Sequence, residues 1–331
     1  MDLTTQYLGL NLSSPIMAGA SPLATDMDMV RRLEDAGTSA IVMHSLFEEQ
    51  ITREQLGTLQ DLELHAESSA EATNFYLPAA DEFRMGPDNY LETIRKIKAA
   101  VKVPVIASLN GTTARGWLNY AKEMEKAGAD ALELNVYYLP TSPMETGDAV
   151  EKRTLEIAHA VKSAVTIPVA VKLSPFFSSP AHFIKVLEGT GVDGVVMFNR
   201  FYQPDIDIEE LDVLSDLNLS NPSELRLRLR WMAILYSHIA MPMAVSGGVH
   251  SAEDAIKATM AGATAIQMTS ALLRHGPERL KMVREGMVKW MEEKEYESVA
   301  QMRGSMSLMR CPDPTAFERA NYMRVLNGWK I

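Results

Sequence analysis

The chain has 331 residues, 47% of them hydrophobic and 23% charged, with a formal net charge of −11. That is enough apolar material for one sizeable core, and the acidic balance argues against nucleic acid and against an anionic membrane surface as partners. The single cysteine, Cys311, rules out an internal disulfide, an iron–sulfur cluster or a Cys-ligated zinc site, so no metal is expected and a reducing cytoplasm fits.

No apolar run approaches the roughly 18 residues of a membrane span, and the start MDLTTQYLGLNLSSP has neither the basic end nor the apolar core of a leader. A soluble, unprocessed, cytoplasmic protein is expected. Taken in order, the chain then repeats a two-strand unit. One kind of strand opens with proline: Pro15-Ile-Met-Ala, Pro104-Val-Ile-Ala-Ser, Pro168-Val-Ala-Val-Lys and Pro242-Met-Ala-Val-Ser. The other follows a helix that ends in glycine: Gly37 before SAIVM, Gly128 before DALELN, Gly191 before DGVVMFN and Gly262 before TAIQM. The two kinds alternate, which gives eight strands, with helices expected over 27–36, 88–101, 113–127, 147–165, 180–189, 222–238, 252–261 and 277–295. Near-continuous apolar strands between helices form a parallel sheet, and eight of them close. The predicted fold is therefore α/β, a (β/α)8 TIM barrel. An open doubly wound sheet needs a G-x-G-x-x-G turn after an early strand, and the sequence has none.

The barrel is assigned to residues 1–304 as a single domain. Two segments exceed its needs: 46–86 after the second strand and 199–221 after the sixth. Both leave from C-terminal strand ends, where barrel enzymes put substrate loops. Residues 305–331 form a C-terminal extension, packed on the barrel or at an interface, in which Pro312 and Pro314 precede the helical-looking AFERANYMRVLNGW. Most of the 21 methionines fall on strands and helices and read as core filling.

Chemistry in this fold belongs at the C-terminal strand ends, which read Gly19-Ala20-Ser21, His44-Ser45, Asn110, Asn135, Lys172, Asn199, Gly247-Gly248 and Thr269-Ser270. The last two pairs end successive strands before helices, the arrangement with which barrels hold a phosphate; a tight strand-to-helix turn is the plainer account of the glycines. Lys172 closes an apolar run, so its ammonium needs an anionic or strongly polar partner, either a ligand or a structural ion pair. Asn135 and Asn199 offer the donors and acceptors that suit an amide-rich ring, or cap the helices that follow.

PIMAGASP (15–22), ELN (133–135), VKLSP (171–175), the strand ending at Asn199, SGGV (246–249) and AGATAIQMTSALLRHGP (261–277) together resemble the dihydroorotate dehydrogenases over roughly 3–304. The resemblance implies an FMN-dependent barrel that oxidises dihydroorotate to orotate in pyrimidine biosynthesis. It is nearer the soluble class than the membrane-associated one, and it implies a homodimer. By position, Gly247, Gly248, Thr269 and Ser270 would hold the FMN phosphate, and Gly19, Ala20 and Ser21 would pass along the flavin. Ser45, Asn110, Asn135 and Lys172 would also lie against the cofactor, and Asn74, Asn135 and Asn199 would bind substrate.

The chain departs from the family where the catalytic base belongs. The family carries cysteine or serine in a loop after the fourth strand, in a pattern close to N-L-S-C-P-N; here it reads Asn135-Val-Tyr-Tyr-Leu-Pro-Thr141. Tyr138 occupies the base position, and a phenol with a reference pKa of about 10 donates a proton near neutral pH more readily than it accepts one. Tyr137 and Tyr138 read equally as an aromatic lid. His44 replaces a family lysine, as a donor to the flavin pyrimidine edge or as an uncharged polar contact. Tyr138, Lys172 and His44 are thus the catalytic candidates, with another dihydropyrimidine-like ring or activated alkene as the possible substrate. Two other classes share these features: a Schiff-base aldolase or lyase using Lys172, and a flavin-binding protein without turnover.

Overall fold

A computed structural model describes residues 1–47, 87–110, 114–136, 138–200, 203–214 and 218–328. Asn74 and Tyr137 lie outside the described residues. Eight parallel strands close into a barrel: Ile16–Ala18, Ile41–Phe47, Val105–Asn110, Ala131–Asn135, Val169–Leu173, Gly194–Met197, Met243–Ser246 and Ala265–Met268. They are numbered one to eight below. Each lies on a stretch read as a strand from its apolar run, and the helices between them fall within a few residues of the expected spans. The span 222–238 divides into a short 3-10 turn, Pro222–Glu224, and the helix Leu225–Leu235, because Pro222 opens it and Asn221 and Glu224 form a capping box. A short helix, Ser270–His275, precedes Glu278–Glu293 and had no counterpart in the periodicity.

Side chains alternate across the barrel wall. Leu132, Val171, Val245 and Ile266 face outward into the main core shared with the helices, while their neighbours Ala131, Ala170, Ala244 and Ala265 face into the barrel. The small residues leave room for a plug. An antiparallel hairpin, Thr5–Tyr7 with Leu10–Leu12, inserts Tyr7, Leu8 and Leu12 among them, so the barrel is packed at its N-terminal end. Its turn uses Leu8 and Gly9, both at positive φ (52° and 71°), as a two-residue hairpin turn demands.

A second hairpin, Asp205–Asp207 with Asp212–Leu214, rises from the excursion after strand six. At the C-terminus, the amides of Gly304, Met306 and Leu308 donate to Thr259, Met260 and Ala233, which lays the tail across the helices Leu225–Leu235 and Ala252–Ala261. A 3-10 turn, Pro314–Phe317, and the helix Ala320–Asn327 follow. No described helix is long and apolar enough to cross a membrane.

Candidate functional site

Inside the barrel, above the alanine layer, a polar layer replaces the apolar one. Glu133, Lys172 and Gln267 project inward from strands four, five and eight because they stand two residues after inward-facing Ala131, Ala170 and Ala265. Lys172 Nζ donates to Glu133 Oε1 at 3.1 Å and to Gln267 Oε1 at 3.2 Å, and Gln267 Nε2 closes the ring on Glu133 Oε2. The structural ion pair foreseen as one reading of Lys172 is therefore present.

Above that layer a cavity of about 500 Å³ opens at the C-terminal strand ends. Of the residues singled out in the sequence, Ala20, Ser21, His44, Ser45, Asn110 and Asn135 line it. Lys172, Asn199, Gly247, Thr269 and Ser270 complete that set. The two asparagines act as a pair: Asn199 Nδ2 donates to Asn135 Oδ1 at 2.9 Å. The Asn135 amide in turn reaches Ser45 Oγ at 3.5 Å, and Ser45 and Ser108 share a hydroxyl hydrogen bond of 2.8 Å. Both carboxamides are thus oriented side by side at the cavity wall without capping a helix.

His44 lies on strand two, whose pairing with strand three shifts register between Val42 and Ser45, and it packs edge-on to the Tyr90 ring at 5.2 Å. Its Nδ1 is buried with no hydrogen-bond partner among the described residues. Burial pushes its pKa below the usual 6.5, so the imidazole is neutral at pH 7. It offers the cavity a neutral donor or acceptor where the family has a lysine charge.

Three expected residues stand elsewhere. Gly19 backs the wall without lining it: its amide donates to Met268 O at 2.8 Å, and a Cβ there would lie 2.4 Å from Thr269 Oγ1. Gly248 is also behind the lining. At φ +84° it receives the backbone of Leu225, whose N lies 2.5 Å from where a Cβ would be, and its amide points to Ser220 Oγ at 3.4 Å. Its small size serves the close packing of a helix on the turn as much as any anion. Tyr138 is not among the cavity-lining residues. Its hydroxyl donates to Glu145 Oε2 at 2.5 Å, and Arg153 both covers the ring, 4.6 Å from its centroid, and pairs with Glu145.

The sequence reading missed Phe47, Phe198, Arg200 and Ser220, all on the lining. Phe47 and Phe198 stand next to strand ends that were read, whereas Ser220 lies in an excursion with no motif. Ser220 nonetheless ties the cradle together, since its amide donates to Ser270 Oγ at 3.0 Å and its hydroxyl meets His250 Nε2 at 3.3 Å.

The cradle suits a phosphate ester. Gly247, at φ +89°, and Thr269 and Ser270 present small groups and backbone at adjoining strand ends, where a phosphate would meet amides rather than side chains. The asparagine pair and Lys172 place hydrogen-bonding groups on the same cavity wall.

The dihydroorotate dehydrogenase family model matches residues 83–291. The dihydroorotate dehydrogenase B (NAD(+)) catalytic subunit of Thermoplasma acidophilum is 27% identical over 311 residues, covering 92% of this chain and 98% of that protein. The corresponding catalytic subunit of Methanocella arvoryzae is 31% identical over 280 residues, covering 82% and 87%. That of Methanocaldococcus jannaschii is 26% identical over 302 residues, covering 88% and 94%. With a family match across more than half of the chain, on a closed barrel whose strand ends carry the motifs in the expected places, the chain belongs to the dihydroorotate dehydrogenase family.

Proposed function

We propose that this chain is an FMN-dependent oxidoreductase acting on a CH–CH bond beside a carbonyl, in dihydroorotate or a closely similar dihydropyrimidine ring. The observation that carries the reading is the convergence of the Asn135–Asn199 pair and Lys172 on one cavity beside a phosphate cradle. FMN, when bound, takes up the hydride of the bond being oxidised. Gly247, Thr269 and Ser270 would hold its phosphate. Lys172, fixed by Glu133 and Gln267, would present its ammonium to the flavin as a positioned charge. The paired carboxamides of Asn135 and Asn199 would orient the substrate's ring amides.

Oxidation also releases a proton from the neighbouring carbon, and Tyr138 in the loop after strand four is the group we assign to it. Its hydroxyl already donates to a carboxylate; the Tyr138 hydrogen bond, with Arg153 beside it, holds Glu145 below the usual carboxylate range. An ionised acceptor gives the phenol somewhere to pass its proton as it takes one from substrate. A second reading, Tyr138 as a lid, is favoured by its absence from the cavity lining.

The names of the relatives support a further extension. They are named as catalytic subunits of dihydroorotate dehydrogenase B (NAD(+)), and we extend to this chain assembly with a separate subunit. We extend to it in the same way the homodimer that the resemblance implies, and the mass of the purified particle in solution checks both.

The test of the central reading is direct. Purified protein should be yellow with one FMN per chain, and dihydroorotate added without oxygen should bleach it. Protein that neither carries nor takes up FMN would sink the reading; protein that binds FMN but is bleached by no dihydropyrimidine would be a flavin-binding protein without this turnover. Borohydride with a carbonyl substrate should leave Lys172 unmodified.

A further inference from the structure

Arg228 is unexplained by the roles assigned so far. It stands three residues after buried Leu225 and four before buried Met232, so it occupies the apolar stripe of the helix Leu225–Leu235, and it is only 5% exposed. Its Nε donates to Ser246 O at 2.8 Å, Nη1 to Glu224 O at 2.8 Å and Nη2 to Phe198 O at 3.5 Å. All three acceptors are uncharged carbonyls. The adjacent carboxylate, Glu224, is engaged by Arg200 Nε at 3.5 Å and by the Asn221 amide at 3.3 Å. A full positive charge therefore lies buried with no carboxylate paired to it among the described residues, an arrangement that is costly until an anion completes it.

The charge stands directly behind the cradle. A Cβ on Gly247 would come 2.9 Å from Nη2 and 3.3 Å from Cζ of Arg228. Gly247, Ser246 and Phe198 all line the cavity, and so does the second guanidinium, Arg200. Arg200, and not Arg228, is the arginine paired with the Glu224 carboxylate at this wall. Burial, and Arg200 after it, push the Arg228 pKa down against the pull of Glu224, the direction expected of a site that an incoming anion would relieve.

We infer that Arg228 is a positioning residue that makes this cradle prefer a dianionic phosphate ester. Its charge acts on the phosphate from behind the backbone of Gly247, where no side chain intervenes, and its hydrogen bonds to Phe198 O and Ser246 O tie the ends of strands six and seven to each other. The identity of the ester as FMN rests on the proposed function above; the uncompensated charge does not.

Apoprotein of the full chain, unchanged and as Arg228→Met and Arg228→Lys, is titrated with FMN and with riboflavin, which lacks only the phosphate, and followed by quenching of flavin fluorescence. Arg228→Met should weaken FMN about 10- to 100-fold and riboflavin less than about threefold, with Arg228→Lys in between because it keeps the charge and loses the fork. Should Arg228→Met fail to fold, Arg228→Lys carries the comparison. Equal weakening of both flavins, or none, would overturn the inference, since Arg228 would then only shape the wall. A second measurement separates this from failure of the FMN reading: inorganic phosphate should raise the melting temperature of the unchanged apoprotein and not that of Arg228→Met. If neither flavin binds but that phosphate effect persists and depends on Arg228, the FMN reading falls and this inference stands. If phosphate leaves the unchanged apoprotein unaffected, the inference falls.

Discussion

Two three-residue units carry a cation, a glutamate and a neutral hydrogen-bonding partner, and they differ in burial. In the barrel, Lys172 and Glu133 are 8% and 2% exposed and are closed by Gln267; after strand four, Arg153 on the helix Gly147–Ala164 and Glu145 in the loop before it are 39% and 13% exposed and are joined by Tyr138. The first cannot open without leaving a charge in a dry interior, so it is a fixed floor beneath the cavity. The second can exchange its partners for water at little cost, which is what a group that must move a proton, or swing over a substrate, requires. Similar side-chain chemistry is scaffold in one place and working part in the other, and the surroundings decide which.

The sharpest way to break this contrast is to cut the carboxylate out of each unit. Glu133→Ala strands the Lys172 ammonium and should cost about 3–5 kcal/mol of stability in urea unfolding. Glu145→Ala should barely move the urea midpoint. Equal losses would mean that burial does not separate the two units.

The second test moves from stability to turnover. Tyr138→Phe removes only the hydroxyl that meets Glu145; FMN binding should survive while turnover falls about 10² to 10⁴-fold. A near-silent Tyr138→Phe with a raised KM in Tyr138→Ala would identify a lid instead. If Tyr138→Cys creates dihydroorotate oxidation that the unchanged chain lacks, the pocket accepts the family substrate and wants only the family base.

A smaller effect tests whether the fixed side of the contrast extends to the phosphate cradle. Gly248→Ala places a side chain at φ +84° against the Leu225 backbone. It should cost about 1–3 kcal/mol for the conformation, with more for the contact, and should lower thermal stability even in the absence of flavin. A change that weakens FMN and leaves apoprotein stability intact would show that Gly248 serves the ligand and not the packing.

What the sequence disclosed follows from what is locally encoded. Pro15, Pro104, Pro168 and Pro242 before apolar runs, and Gly37, Gly128, Gly191 and Gly262 after helices, mark strand starts and helix ends by backbone chemistry alone, so the eight barrel strands were legible. Strand ends were legible too, because a polar residue after an apolar run has nowhere else to be. Lys172, Asn135 and Asn199 reached the cavity for that reason. The N-terminal hairpin was not foreseen, since Tyr7, Leu8 and Leu12 become a plug only once the barrel exists to receive them. Nor was the partnership of Arg228 with Gly247, because an arginine inside LRLRLR looks like solvated surface until the helix is set against strands six and seven. Tyr138 was placed by its position in a loop, and position did not show that Glu145 and Arg153 would hold it outside the lining.

The finest test concerns a half-buried group that has no ionic partner in either unit. His44 faces the cavity with its pKa lowered by burial, while the unfolded chain titrates near 6.5. Between the lowered folded value and 6.5 the unfolded state binds more protons than the folded one, so stability is complete above 6.5 and is lost as pH falls through that window. One such residue contributes a slope of at most about 1.4 kcal/mol per pH unit. His250, which is buried and is lowered first by burial and then by Arg274, contributes in the same direction. His44→Gln should therefore flatten, without abolishing, the fall in stability of the apoprotein just below pH 6.5, and adding His250→Asn should flatten it further, leaving the fall at lower pH that carboxylates held below their usual range, such as Glu145, produce. An unchanged slope in His44→Gln would show that the imidazole takes up its proton in the folded protein over the same pH range as in the unfolded chain. It would then supply a positive charge at the place where the family has lysine, and the cavity would hold a cation that can be switched off by raising the pH, beside the permanent one that Glu133 and Gln267 keep in place.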